Sequence, residues 1–98
     1  MGKKYTAEKV LYFAAQEKRL HVGPSEEDRV TDLWIEVQRQ VVDGCLEHIA
    51  SDDSGQYFGI TDKGQIKLLN MQIEWRKRNG KDVSGHLYKL KELREKAA

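Results

Sequence analysis

The sequence has one cysteine, one proline and no long run of apolar residues. A lone cysteine excludes an internal disulfide and fits a reducing cytoplasm. No apolar stretch is long enough to cross a bilayer, and the first residues lead into a charged helical pattern without an apolar signal region. With 98 residues, 39% of them apolar, the composition predicts one folded cytoplasmic domain and not a disordered chain.

The sequence also lacks the residue patterns of a catalytic or metal site. Zinc requires about four nitrogen or sulfur ligands, and Cys45 and His48, three apart on a predicted strand, point to opposite faces. The turn at Asp52 and Asp53 lacks the alternating oxygen ligands of a calcium loop. No glycine-rich phosphate loop and no paired nucleophile and base are visible. We therefore expect no enzyme, no metal, no cofactor and no small-molecule substrate.

Charge is unevenly distributed along the chain. Residues 1–62 contain 7 Lys/Arg and 12 Asp/Glu, a balance of −5, whereas residues 63–98 contain 10 and 4, a balance of +6. Such a division has two interpretations: it marks a surface that faces nucleic acid or a partner, or the two halves attract each other within the fold.

The first half of the chain shows two stretches of helical periodicity. Thr6 is a plausible N-cap of a helix that ends near Arg19, and residues 20–23 form a connection before Pro24. The next stretch begins at Ser25 and should end by Gly44. Its pattern leaves open whether 25–43 is one helix or two. The apolar side chains of this stretch recur at three- and four-residue spacing: Val30, Leu33, Trp34, Val37 and Val41.

The second half begins with a predicted hairpin. Segments 45–49 and 56–60 read as antiparallel strands, with 51–55 as the exposed tip. Thr61 caps the next helix, which ends at Gly80, and a terminal helical extension covers 84–98. We expect Trp34 and Trp75 to anchor the core. The residues expected to be buried together are Val30, Leu33, Trp34, Val37, Val41, Leu46, Ile60, Ile66, Leu69 and Ile73.

The order of helix, helix, helix, hairpin and helix resembles that of winged helix-turn-helix domains. Segment 41–47 (VVDGCLE) looks like the turn from their recognition helix into the first wing strand. Segment 57–64 (YFGITDKG) is similar to the second wing strand and the Thr-capped helix of MarR-like regulators. The resemblance implies an α+β fold, a mostly helical winged-helix-like domain over 1–98 with one short antiparallel hairpin. It also implies a DNA-binding transcriptional regulator of bacterial or phage type.

Charge decides which residues would contact DNA. If the apolar stripe faces the core, the recognition helix exposes Asp32, Glu36, Arg39 and Asp43, a net charge of −2, which disfavours contact with phosphates. The cations lie chiefly on and after the helix that follows the hairpin. The candidate DNA-binding residues are Arg39, Lys63, Lys67, Arg76, Lys77, Arg78 and Lys81.

The acidic face supports a second interpretation, in which the protein is an interaction module such as an inhibitor or adaptor. An apolar strip beside the acidic side chains suits a protein partner or self-association better than a DNA groove. The residues of this candidate surface are Asp32, Ile35, Glu36 and Val42.

Overall fold

Four α-helices and three β-strands form the part of the chain that the computed structural model describes, residues 5–16, 19–25 and 31–97. In chain order the elements are α1 (Ala7–Gln16), β1 (Leu20–Val22), α2 (Asp32–Val42), β2 (Leu46–Asp52), β3 (Gly55–Ile60), α3 (Asp62–Arg78) and α4 (Ser84–Ala97). This confirms the predicted α+β, mostly helical fold. None of the helices in these residues is long and apolar enough to cross a bilayer.

The predicted hairpin is present, but it belongs to a larger sheet. Strands β2 and β3 pair antiparallel from Leu46 opposite Ile60 to Asp52 opposite Gly55, so the turn is Asp53-Ser54 and the predicted tip at 51–55 is too long. The register shifts between His48 and Ala50, which places one extra residue in β2.

The third strand, β1, corrects the prediction that residues 20–23 are only a connection. It pairs with β3, so that the sheet order is β1-β3-β2. Leu20 and Val22 are buried and His21 between them is exposed, the alternation of a strand with one face on the core. The preceding helix ends at Gln16, and Arg19, where the prediction placed its end, is not helical.

Threonine side chains begin three of the helices. The backbone N–H of Lys9 donates to Thr6 Oγ1 at 3.2 Å, and that of Gly64 donates to Thr61 Oγ1 at 3.0 Å, as predicted. Thr31 caps α2 in an extended conformation. The stretch 25–43 is therefore not one helix, because the chain is extended at Thr31.

The buried side chains form two clusters and not the single core that was predicted. Val10, Leu33, Val37, Leu46 and Phe58 belong to the larger cluster, between the sheet, α1 and α2. The smaller cluster joins α3 to α4 through four side chains: Leu69, Ile73, Leu90 and Leu93.

The remaining predicted core residues lie at the margins of these clusters. Four of them are partly buried: Trp34, Val41, Ile60 and Ile66. Val30 lies outside the described residues. Trp75 was predicted to be a core anchor, and this is wrong: its side chain is 45% exposed, because the buried face of α3 passes through Leu69 and Ile73 instead.

Candidate nucleic-acid interface

The exposed face of α2 differs from the predicted one. Glu36 was expected at the surface, but its side chain is only 9% exposed and lies 3.5 Å from the guanidinium of Arg39. Gln40 is also buried, and its amide oxygen accepts a hydrogen bond from Lys67 Nζ at 3.0 Å. Leu33, Glu36, Val37 and Gln40 therefore form the inner face of the helix. Glu36 cannot belong to a partner-binding surface in this conformation.

Two of the predicted DNA-binding lysines contact the C-terminal end of α2 instead. Lys63 Nζ donates to the carbonyl oxygen of Asp43 at 2.6 Å, and Lys67 Nζ lies 3.7 Å from the Asp43 carboxylate. Cations are favourable there, because the unpaired carbonyl groups of a helix C-terminus carry partial negative charge. These two lysines therefore fasten α3 to α2 and partly neutralise Asp43.

The surface built by α2 and the β2–β3 hairpin is acidic. Residues 31–60 contain six Asp/Glu and one Lys/Arg, a formal balance of −5, and strands β2 and β3 contain no Lys or Arg at all. Five of the six carboxylate residues are exposed along α2, its C-terminal cap and the hairpin: Asp32, Asp43, Glu47, Asp52 and Asp53. Duplex DNA approaching this surface would meet repulsion at most positions.

The opposite charge is carried by the two helices that follow. Residues 62–97 contain ten Lys/Arg and five Asp/Glu, a formal balance of +5. Lys77 and Arg78 at the end of α3, and Lys81 just after it, are exposed. The side chains of Lys77 and Arg78 form no hydrogen bond or ion pair with any described residue, so both are available to an external anion.

Two of the cations at this end of α3, Arg76 and Lys81, have partners within the described residues. Arg76 Nε donates to the carbonyl oxygen of Asp82 at 2.7 Å, which closes the turn between α3 and α4. Lys81 Nζ lies 4.9 Å from the centroid of the exposed Trp75 ring, a cation–π distance. Arg76, Lys77, Arg78 and Lys81 thus lie within six residues of one another at the end of α3 and just after it, and Lys81 contacts Trp75. We name these four residues the basic cluster.

The predicted DNA-binding residues do not form a single site. Lys67 and Lys77 are ten positions apart on α3, about 15 Å along the axis at 1.5 Å per residue. Arg39 lies on α2 beside Glu36. The structure thus separates the basic cluster from Lys63 and Lys67, a separation that total charge along the sequence does not reveal.

An apolar strip does lie on the outside of α2, where the alternative interpretation placed it. Val42 is 84% exposed and Ile35 is 38% exposed. With Trp34, Gln38 and Arg39 they border an open cleft of about 620 Å³. Asp32 is exposed nearby in sequence, so three of the four predicted interaction residues remain at the surface.

A polar network at the hairpin turn was not predicted. Ser54 donates to the Asp52 carboxylate through its hydroxyl at 2.6 Å and through its backbone N–H at 2.9 Å. The Tyr57 hydroxyl donates to the same carboxylate at 3.1 Å, and His21 Nε2 contacts the Ser54 carbonyl oxygen at 2.8 Å. The Ser54 hydroxyl and backbone N–H, together with Tyr57 and His21, hold the pKa of Asp52 below its usual value. The Asp-Asp-Ser-Gly sequence predicted the turn. It did not predict that His21 of β1 and Tyr57 of β3 would contact the turn residues.

Cys45 and His48 do not form a site together. Cys45 is buried in the larger cluster, whereas the exposed His48 ring lies edge-on to Phe58 with centroids 5.4 Å apart. In the described part of the chain no three His, Cys, Asp or Glu side chains come together as metal ligands would.

Comparison with protein-family models, curated proteins and solved structures finds no match to this chain.

Proposed function

We propose that this protein binds duplex DNA and that the basic cluster at the end of α3 supplies the phosphate contacts. The observation that carries the proposal is the exposure of Lys77, Arg78 and Lys81 without a carboxylate partner among the described residues. Lysine and arginine that neutralise phosphates release condensed counterions, and this release drives sequence-independent DNA affinity.

The arrangement of elements supports a winged-helix-like architecture. Helix α2 leads into the β2–β3 hairpin, β3 leads into the Thr61-capped helix α3, and β1 completes a β1-β3-β2 sheet. Segment 57–64, which resembles MarR-like regulators, spans this strand-to-helix junction. A role in transcriptional regulation follows from that resemblance by analogy, since fold and function are separable.

The proposed docking mode differs from one centred on the recognition helix. The balance of −5 over 31–60 opposes an approach by α2 and the hairpin, whereas the helices that follow attract phosphates. Phosphate contacts position a protein on DNA but do not specify sequence. We therefore propose binding with weak sequence preference, in which Arg39 contributes little.

Charge reversal of the cluster tests this proposal. Replacing Lys77, Arg78 and Lys81 together by glutamate should abolish binding in a gel-shift titration and leave the circular dichroism spectrum unchanged, since all three side chains are exposed. Neutral replacements at the same three positions should lower the slope of log affinity against log salt by about 3, close to one unit for each phosphate contact.

The matched control reverses three cations on α4, Lys89, Lys91 and Arg94, which are also exposed. It changes net charge by the same amount in the same basic part of the chain, residues 62–97, and we expect it to retain most of the affinity. Equal loss in both variants would show that total charge, not the basic cluster, causes binding. If the unmodified protein shows no salt-sensitive binding at micromolar concentration, DNA binding is wrong and the protein-interaction function replaces it.

A second function is supported by the exposed strip on α2. Val42 is 84% exposed and lies beside Ile35 and the cleft at Trp34. An exposed apolar group of this kind suits the apolar centre of a protein interface. The test is self-association measured by sedimentation over a range of concentrations. If the protein self-associates, its apparent mass rises with concentration. Val42→Asp should reduce this rise, whereas the exposed control Ala50→Asp should not. If the apparent mass of the unmodified protein equals that of a monomer at every concentration, self-association through this strip is wrong.

A further inference from the structure

Helices α1, α3 and α4 border an open cleft beside the basic cluster. Its volume is about 370 Å³, within the range of small-molecule sites. Two aromatic rings, three side chains with nitrogen donors and one carboxylate line it: Tyr12, Trp75, Gln72, Arg76, His86 and Glu8.

The two aromatic side chains are only partly covered by their neighbours, since Tyr12 contacts Phe13 and Gln16 and Trp75 contacts Lys81. Tyr12 is 43% exposed and Trp75 is 45% exposed. Both border the same space, yet within the described residues their rings do not contact each other. Exposed aromatic rings next to a cationic surface are the usual platform for stacking unpaired bases, because every base has a π-face.

The polar side chains that line the cleft can donate and accept hydrogen bonds, as the edge of a nucleobase does. Gln72 offers both an amide donor and a carbonyl acceptor, and the imidazole of His86 and the carboxylate of Glu8 add further hydrogen-bonding atoms. Base edges carry donors and acceptors side by side. A purely apolar ligand would leave these groups without hydrogen bonds.

Two cations lie next to the aromatic surface: Arg76 lines the cleft, and Lys81 contacts the Trp75 ring from outside the cleft lining. Lys81 Nζ lies 4.9 Å from the centroid of the Trp75 ring. Arg76 uses Nε for the Asp82 carbonyl oxygen, and a guanidinium has five N–H donors in total. A phosphate attached to a stacked base would therefore have charged donors within reach.

We propose that this cleft binds an unpaired nucleobase, stacked against Trp75 and Tyr12, with its phosphate held by Arg76 and Lys81. The inference rests on the proposed nucleic-acid binding by the basic cluster and names a second mode for the same surface. The base comes either from a single strand or from a free nucleotide, which share this chemistry. Bases inside an intact duplex remain stacked on their neighbours and cannot enter.

Tryptophan fluorescence provides the test. In a Trp34→Phe background Trp75 is the only indole, and a stacked base should quench its emission. The probes are a single-stranded oligothymidylate, a duplex of mixed sequence, thymidine monophosphate and inorganic phosphate. We expect strong quenching by the single strand and little by the duplex or by inorganic phosphate. Equal quenching by the monophosphate and the single strand would identify the free nucleotide as the source.

A pair of tyrosine variants provides a second measurement that does not depend on the Trp34→Phe substitution. Tyr12→Leu should weaken gel-shift affinity for the single strand about tenfold, as expected for the loss of one stacking platform, and leave duplex affinity unchanged. Tyr88→Leu is the control, because Tyr88 is 67% exposed on α4 and does not line the cleft.

The outcomes separate this inference from the proposed function. One outcome contradicts base binding in the cleft but supports the proposed DNA binding. In it, duplex binding depends on Lys77, Arg78 and Lys81, Trp75 emission is not quenched, and the two tyrosine variants have equal affinities. Absence of binding to every probe overturns both. Base binding in the cleft is also wrong if the charge reversal abolishes single-strand binding and Tyr12→Leu does not weaken it. That result would show attraction of phosphates without base stacking.

Discussion

Gly64 lies directly against the carbonyl oxygen of Cys45, so a Cβ at position 64 would overlap that oxygen. The same oxygen accepts a hydrogen bond from the Thr61 backbone N–H at 3.0 Å. The first turn of α3 is thus held against the residue that precedes β2.

Gly64→Ala should therefore destabilise the fold, although alanine is the better helix former. Overpacking of this kind costs about 1–3 kcal/mol, measured as the loss in free energy of unfolding by urea. Gly85→Ala in α4 is the control, because a Cβ there meets nothing within 4 Å, and it should stabilise by about 0.5–1 kcal/mol. Similar effects of the two substitutions would contradict the close approach.

Phe58 should matter more for stability than Trp34. Phe58 is 2% exposed in the larger cluster, and the Trp34 ring lies edge-on to it with centroids 6.4 Å apart. Phe58→Ala should cost about 3–5 kcal/mol, the range for a buried aromatic side chain. Trp34→Ala should cost less, because Trp34 is only partly buried. A larger loss for Trp34→Ala in urea unfolding would show that the burial is assigned wrongly.

The hairpin turn should respond to acid through Asp52. Hydrogen bonds from Ser54, first from its hydroxyl and then from its backbone N–H, hold the pKa of Asp52 below its usual 3.8. Because the folded pKa is lower than the unfolded one, the ionised carboxylate stabilises the turn above pH 3.8, and this contribution is lost as pH falls through the folded value.

Side-chain carbon chemical shifts recorded against pH measure this pKa directly. Ser54→Ala should raise the pKa of Asp52 more than Tyr57→Phe does, since the Ser54 hydroxyl is the largest cause of the lowering and Tyr57 is a smaller one. An unchanged titration in Ser54→Ala would contradict the network.

The sequence predicted what depends on local pattern. The Thr6 and Thr61 caps and the hairpin all follow from short segments whose side chains interact with near neighbours. Strand β1 could not be predicted in this way. This strand has only three residues, with Leu20 and Val22 on the buried face. It forms because its backbone pairs with the edge of β3 that β2 does not occupy.

The candidate site was less predictable, because partners distant in sequence determine which polar side chains are buried. The buried Glu36 carboxylate is paired with Arg39 at 3.5 Å, and the buried Gln40 amide oxygen accepts a hydrogen bond from Lys67 of α3. Helical periodicity alone assigned the inner face of α2 to its apolar side chains. Likewise Trp75 has apolar character but lies beside Lys81 at the surface, which only the turn after α3 establishes.

The smaller cluster makes a final prediction about α4. Leu90 is 6% exposed and packs with Leu69 and Ile73 of α3, so Leu90→Ala should cost about 2–5 kcal/mol. Leu87 on the same helix is 45% exposed, and Leu87→Ala should change stability by less than about 0.5 kcal/mol. Because Leu90 lies in a cluster separate from the sheet, we expect the loss to appear first as local opening. Backbone amides of α4 should exchange hydrogen faster in Leu90→Ala while those of β3 stay protected. Uniformly faster exchange in both elements would show instead that the two clusters unfold as one unit.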